Sequence, residues 1–468
     1  MRVWPSLRLI ARCAAVAGCF VAGWLTSVAD AQCRLIPDED QQSAYGTSVA
    51  TSGDTAMVGE LTHGLSVFRF DGVAWPLDQF LPAPDDCALP CTFSRSLAMD
   101  GDLALIGAPN DNIFGPSSGS AYIFRHDGTT WAFEQKLVPS EGAPSDKFGW
   151  SVALNGDVAV VGAVNAEAAF IFRYDGSTWA EEQKLEGAPP FDADNFAMAV
   201  AITRGTIFVG EPDRNSFTGR VYIYEFNGAK WTEEQILTGG APSDYFGFAL
   251  SVSGNAVVIG TQSADKAWVF RDNGSQWVHQ QTFPGGDGND HFGKAVSIDG
   301  NVIVIGAEAT PNDPPASNWG TAYIYVYDGL TWVEEDVLVN PGPPGTGGFG
   351  QAVATEGDIT IVGASNRAYA FGPSEIAFDC NENGNADGCD IENGTSEDIN
   401  GNGVPDECDL ARGDLNLDGT VGIADLLILL GFWGPCVFCE NCLADLDGDC
   451  AVGVSDFLIL LGNWGPYP

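Results

Sequence analysis

Residues 45–371 repeat one pattern seven times, and that self-similarity restricts the chain to very few architectures. The clearest copy, 147–185, reads KFGWSVALNGDVAVVGAVNAEAAFIFRYDGSTWAEEQKL. Apolar and polar residues alternate after Phe148-Gly149, turn at Gly156-Asp157, and run apolar again to Val161-Gly162-Ala163. A third run over 169–174 stops at Asp175-Gly176, and a fourth opens at Trp179. Period-two alternation broken by such dipeptides predicts four antiparallel strands in a meander, because tight hairpin turns need positive φ.

The copies start at Tyr45-Gly46, Phe93-Ser94, Phe148-Gly149, Phe196-Ala197, Phe246-Gly247, Phe292-Gly293 and Phe349-Gly350, 46 to 57 residues apart. Each leads to an apolar-Gly step, at Gly59, Gly107, Gly162, Gly210, Gly260, Gly306 and Gly363. A Trp opens the fourth strand of six copies, at Trp75, Trp131, Trp179, Trp231, Trp277 and Trp332. A period of this length without intervening helices predicts a mainly β chain folded as a seven-bladed β-propeller. The seventh copy stops at Phe371 with no Trp and no fourth strand. AQCRLIPDEDQQSAYG (31–46) lines up with EQKLVPSEGAPSDKFG (134–149), so Cys33 to Ile36 are expected to supply the missing outer strand and close the ring.

The formal net charge of -43 argues against nucleic acid and anionic membrane surfaces as partners. Arg2 and Arg8, an apolar run over 9–28 and Ala29-Asp30-Ala31 predict a secretory signal peptide over 1–31. A retained anchor is the alternative for that run; no later segment has the length and apolarity to span a bilayer. Ten cysteines follow residue 31, an even number that favours disulfides in an exported protein. A secreted or cell-surface location is expected.

The pattern Phe-Gly-x-Ser/Ala-Val-Ala, Gly-Asp and Val-Gly-Ala, nearest its full form at Ile106-Gly107-Ala108-Pro109, resembles FG-GAP repeats, the blades of integrin α-chain propellers. The resemblance covers about residues 32–373. Calcium-binding blades of that family carry a D-x-D-x-D-G loop, whereas the loops here are as short as LNGDVA and cannot wrap a cation that takes six to eight oxygens. Catalysis needs unlike residues that break the repeat. His63, His126, His279 and His291 fall at unrelated positions. The pairs Glu181-Glu182, Glu233-Glu234 and Glu334-Glu335 are periodic on an outer strand and read as solvated edge protection. No catalytic residue is assigned, and the protein is read as no enzyme. The copies differ in the loop between strands two and three, long at 109–120, 211–219 and 307–320, where Phe114, Phe217 and Trp319 are candidates to bind a glycan or protein.

Beyond residue 371 the chain turns acidic, with nineteen Asp plus Glu against the single Arg412. Two echoing segments over 374–409 place oxygen side chains at alternate positions ahead of Gly, at Asp379, Asn381, Asn383, Asp387 and Asp390, and at Asp398, Asn400, Asn402, Asp406 and Asp409. They resemble thrombospondin type 3 calcium repeats. Residues 410–468 hold two loops with oxygens at positions one, three, five and twelve and a backbone carbonyl at seven, the EF-hand pattern for Ca2+. The first uses Asp414, Asn416, Asp418, Thr420 and Asp425, and the second Asp445, Asp447, Asp449, Ala451 and Asp456. One helix-like run follows each. The duplication, 31 residues apart, resembles a type I dockerin module, which implies two calcium ions and docking on a cohesin-like or cell-surface protein. Cys450 replaces the Gly at position six of the second loop, and Cys436, Cys439, Cys442 and Cys450 suit either disulfides or zinc.

The expected function is an exported, non-catalytic binding or adhesion protein with a propeller scaffold and a calcium-dependent docking tail. The alternatives are an accessory component of extracellular polysaccharide degradation and a structural cell-surface or matrix protein.

Overall fold

A computed structural model describes residues 32–35, 44–187, 194–308, 320–340 and 347–372, less short breaks at 62–63, 73, 85–86, 88–90 and 286–290. In the tail it describes 413–416, 420–435, 451–462 and 464–466, with isolated positions 391, 396, 405, 444 and 446.

Seven four-stranded antiparallel sheets form the propeller, each running in chain order from an inner to an outer strand except the last. The inner strands are Tyr45–Ser52, Ser96–Asp100, Phe148–Asn155, Val200–Thr203, Ala249–Ser253, Phe292–Asp299 and Ala352–Glu356. In the seventh blade the outer strand is Gln32–Leu35, paired antiparallel with Arg367–Phe371. The closing strand thus starts one residue earlier than expected, and Ile36 lies outside the described residues.

Glycine sets how closely neighbouring blades approach. A Cβ on Gly107 would fall 2.1 Å from the Gly149 carbonyl oxygen of the next blade, and one on Gly260 would fall 1.9 Å from that of Gly293. The same contact closes the ring, with Gly363 of blade seven 2.1 Å by this measure from the Gly46 oxygen of blade one. Beside it, the first residue of every copy (Tyr45 or a Phe) is buried between sheets. Each such ring contributes about 2–3 kcal/mol on removal from water.

A second lattice laces the outer strands. Gln183 donates its Nε2 to the Trp231 carbonyl at 2.9 Å and accepts the Trp231 N–H at 2.8 Å, completing a backbone-like pair across blades. Gln79, Gln135, Gln235 and Gln281 do the same to Trp131, Trp179, Trp277 and Trp332. The strand register skips Glu182 at a bulge, which aims that carboxylate at the Trp231 Nε1, 3.0 Å away. Glu134 serves Trp179 likewise. Glu181 reaches the other way, to the Ser140 hydroxyl at 2.8 Å. Glu181 and Glu182, read as solvated edge protection, are therefore also ties between blades. Trp131 has the shorter Asp78 at the equivalent position, and its Nε1 is buried without a partner.

Gly260→Ala, at a position without positive φ, should cost about 3 kcal/mol through overpacking alone, read as a lower denaturant midpoint; a loss below about 0.5 kcal/mol would show that the blades part freely. Asp78→Glu should supply the missing acceptor for Trp131 and raise stability by about 1 kcal/mol, measured by thermal unfolding.

Candidate functional site

The loops between strands two and three lie on the face where the inner strands begin, around one mouth of the central channel. The two described long loops are braces as much as display. In blade two, Lys147 and Phe148 donate backbone N–H groups to Ser117 and Ser118 at 3.2 and 3.0 Å. In blade four, Tyr245 and Phe246 donate to Phe217 and Thr218 at 2.8 and 3.2 Å. Each loop ends on a Gly pressed against the next copy's Phe backbone, Gly119 on Phe148 and Gly219 on Phe246, and Gly320 repeats this on Phe349 in blade six.

Phe114 is 39% exposed, and a Cβ on Gly142 would fall 2.4 Å from its ring, so it lies along the connection to blade three. Phe217 is 43% exposed and stacks on Tyr245, ring centres 5.0 Å apart. Asn215, Ser216 and Phe217 hold φ of 54°, 60° and 64° in succession, a left-handed turn that costs about 1–2 kcal/mol per residue and is held by the next connection. Trp319 lies outside the described residues, as does His63. The other three histidines are dispersed: His126 beside Arg69, His279 on Thr282 and His291 on the Glu308 carbonyl.

Asp111 roots the first loop. Its buried carboxylate accepts from Ser120 and Tyr122 at 2.7 and 3.0 Å and pairs with Lys136 at 2.8 Å. Burial alone would push its pKa up, but the bonds from Lys136, Ser120 and the Asn112 N–H outweigh that and hold it below the ordinary value. The blade-four counterpart, Glu211, meets Arg220 and Tyr222, and there burial wins and raises the pKa.

Sequence reasoning passed over the channel mouth itself. It is ringed by the residue after each Phe-Gly step, the position where the copies disagree most. Trp150, Met198 and Phe248 form one apolar side. Arg95 and Lys294 bring two cations, and Thr47 and Gln351 complete the ring. Lys294 pairs with Glu308, and Gln351 donates to the Gly46 and Ala364 carbonyls at 3.0 and 2.8 Å. Arg95 stacks over Trp150, its guanidinium carbon 4.6 Å from the ring centre. The signal was available as variability at one repeat position, but nothing local marks that position as facing the channel.

In the tail, helix α1 (Ile423–Gly431) and helix α2 (Val454–Gly462) each follow one acidic loop. Thr420–Val421 pairs with Gly465–Pro466, and Gly434–Pro435 with Ala451–Val452, so each half borrows a strand from the other. Asp425 accepts from the Asn416 and Gly422 N–H groups at 3.1 and 2.8 Å. Asp456 copies this with Leu446 and Gly453, both at 2.7 Å. Asp414, Asp425 and Asp456 are buried, while Asn416 and Thr420 are exposed and Ala451 half-buried. Asp418, Asp445, Asp447 and Asp449 lie outside the described residues, as do Cys436, Cys439, Cys442, Cys450 and every thrombospondin-like position: Asp379, Asn381, Asn383, Asp387, Asp390, Asp398, Asn400, Asn402, Asp406 and Asp409. Among the described residues no three His, Cys, Asp or Glu side chains cluster as a metal site, and no helix is long and apolar enough to cross a membrane.

Lys136→Met should leave Asp111 buried without its cation and cost about 3–5 kcal/mol. Because the Asp111 pKa is depressed, its contribution to stability is present above the usual carboxylate value of 3.8 and is lost as pH falls through the depressed one. The variant's deficit, measured by unfolding from pH 7 downward, should therefore shrink below about pH 4.

No curated protein matches the sequence. Among solved structures, the computationally designed Ika8 protein is similar at 15% identity and a TM-score of 0.46, covering 73% of this chain and 100% of its own. Sqt1 of Saccharomyces cerevisiae is similar at 12% identity and 0.43, covering 69% of this chain and 82% of its own. Neither bears on activity. The model of the FG-GAP repeat matches residues 83–124, 131–172, 231–279 and 280–325, segments that each join parts of consecutive copies. The chain carries FG-GAP repeats, built as a seven-bladed β-propeller.

Proposed function

We propose that this is an exported, non-catalytic binding protein whose propeller presents an interaction face and whose C-terminal unit docks, with calcium bound, on a protein partner. The observation that carries the reading is a duplicated apolar stripe. Ile423, Leu427, Leu430 and Trp433 on the first half match Val454, Leu458, Leu461 and Trp464 on the second, and all eight are exposed. A 31-residue period thus repeats in the exposed positions as well as in the acidic loops. The inner positions Leu429 and Leu460 are buried with Leu415, Val421, Ala444 and Val452, so the outer stripe is surplus to that core. Paired exposed stripes of this kind are a common form of partner surface.

The loops suit a hard cation. Their twelfth residues, Asp425 and Asp456, are buried carboxylates turned back on their own loops, where an added positive charge offsets the cost of burial. Asp414, Asn416, Asp418, the Thr420 carbonyl and Asp425 would hold one ion. Asp445, Asp447, Asp449, the Ala451 carbonyl and Asp456 would hold the other. The ions would supply charge compensation and stiffen both halves. The dockerin-like reading rests on this pattern, and the thrombospondin-like stretch over 374–409 would be a calcium-dependent spacer. The Cys87–Cys91 disulfide in the connection between blades one and two supports an oxidising, exported setting.

Calcium should raise the tail's unfolding temperature and bind with two-site calorimetry, reduced to one site by Asp425→Ala. Partner capture from the exported proteins of the same cells should occur in calcium, fail in chelator, and fail for Leu427→Asp/Leu458→Asp with calcium binding kept. Capture indifferent to both chelator and the double variant would end the docking reading.

A further inference from the structure

We infer that Cys33, on the strand that closes the ring, forms a disulfide with Cys380 in the acidic segment that leaves the propeller. One covalent bond then joins the two ends of the ring. The inference rests on the exported, oxidising setting proposed above and is independent of the tail's docking.

Parity isolates the pair. Ten cysteines follow residue 31, and only Cys33, Cys87 and Cys91 belong to the propeller. Cys87 and Cys91 are bonded to each other, so Cys33 has no propeller partner left. The seven others follow Phe371, outside the described residues, and seven cannot all pair among themselves. The two echoing acidic segments show which one is spare. Cys389 and Cys408 hold the same place, eleventh of twelve, in 379–390 and 398–409, and match as a pair. Cys380 stands second in the first segment, where the other has Ile399. The remaining four fall within 436–450 and are even in number, whether they take two disulfides or one zinc.

Topology brings the two together. Gln32–Leu35 runs antiparallel to Arg367–Phe371, with Gln32 opposite Phe371 and Cys33 opposite Ala370. The chain therefore leaves the propeller beside the first residue of the closing strand. Partners across such a ladder have Cα atoms about 5 Å apart. Ten residues lead from Ala370 to Cys380, enough chain to span roughly 33 Å. A disulfide asks for Cα atoms about 4.4–6.8 Å apart, so Cys380 can return to Cys33 with no change in the blade. It is also the first cysteine that the departing chain offers.

The bond falls where closure is thinnest. Four residue pairs hold the closing strand, against five to seven for the outer strands of the other blades. Cys33 takes the strand position that Gln79 holds in blade one, where the glutamine ties one blade to the next. A staple there encloses residues 33–380, nearly the whole propeller, and so long a loop strongly restricts the unfolded chain.

Formation is thiol–disulfide exchange with a disulfide oxidant such as oxidised glutathione. The Cys33 thiolate attacks one oxidant sulfur and expels the other as a thiolate. The Cys380 thiolate then attacks the Cys33 sulfur and expels the second. The two cysteines lose two electrons and two protons, and the oxidant becomes two thiols.

The test equilibrates the full chain in a glutathione redox buffer, blocks free thiols with N-ethylmaleimide and cuts before aspartate without reduction. Mass spectrometry should find the Cys33 peptide, ending at Pro37, linked to 379–386, each with a single cysteine. Because the buffer sets the oxidation, the result does not depend on export; the bond formed in the buffer but absent from protein taken from cells would count against export alone. Cys33→Ser and Cys380→Ser should each free one thiol and lower the thermal midpoint by about 5 °C, and the double variant should lower it no further. Cys380→Ser leaves the propeller sequence intact and carries the test should Cys33→Ser misfold. An alkylated Cys33 beside an intact Cys87–Cys91 bond, or Cys33 linked to any other cysteine, would overturn the inference. Additive losses in the double variant would do the same.

Discussion

The fold depends on backbone meeting backbone between blades. Where Gly107 faces the Gly149 carbonyl or Gly260 that of Gly293, a methyl group has no room, so the contact sets the blade spacing. The buried aromatic that starts each copy fills the wedge beside it. One short contact, repeated around the ring and closed by Gly363 against Gly46, accounts for the two most regular glycine-containing steps of the sequence. Other interactions decorate this frame.

The outer lattice shows where the ring is joined. Five glutamines tie successive outer strands to the next Trp backbone, from Gln79 through Gln281. In blade six the register puts Asp336 at that position, opposite Ile324, and in blade seven it puts Cys33 there, opposite Ala370. The two interfaces flanking the closing blade therefore have no glutamine at that position. They rest on the inner glycine contact, on the pairing of Gln32–Leu35 and on the buried Leu35. A seam at the joint is the physical consequence of assembling one blade from both ends of the propeller.

Charge is used sparingly and with direction. Arg69, Arg125 and Arg173 recur on third strands as struts between an inner-turn aspartate and an outer-strand carboxylate. Exposed pairs of this kind add little to stability individually, but they commit the few cations to the rim. The mouth residue Arg95 is outside that scheme.

Much of the architecture was legible in the residues alone. Blade number, strand order, the loan from the N-terminal side and the paired acidic loops follow from period-two alternation, turn dipeptides and a 31-residue duplication, because strands and turns answer to near neighbours. Phe114 and Phe217 were correctly placed on long loops, yet only packing shows them lying on the following connection. Tertiary structure alone decided which residue after Phe-Gly faces the channel, that Glu182 reaches forward to Trp231 while Glu181 reaches back to Ser140, and that the tail's exposed stripes match in register. Those relations join residues that are distant in the chain, and a pattern read along one strand carries no record of what stands beside it.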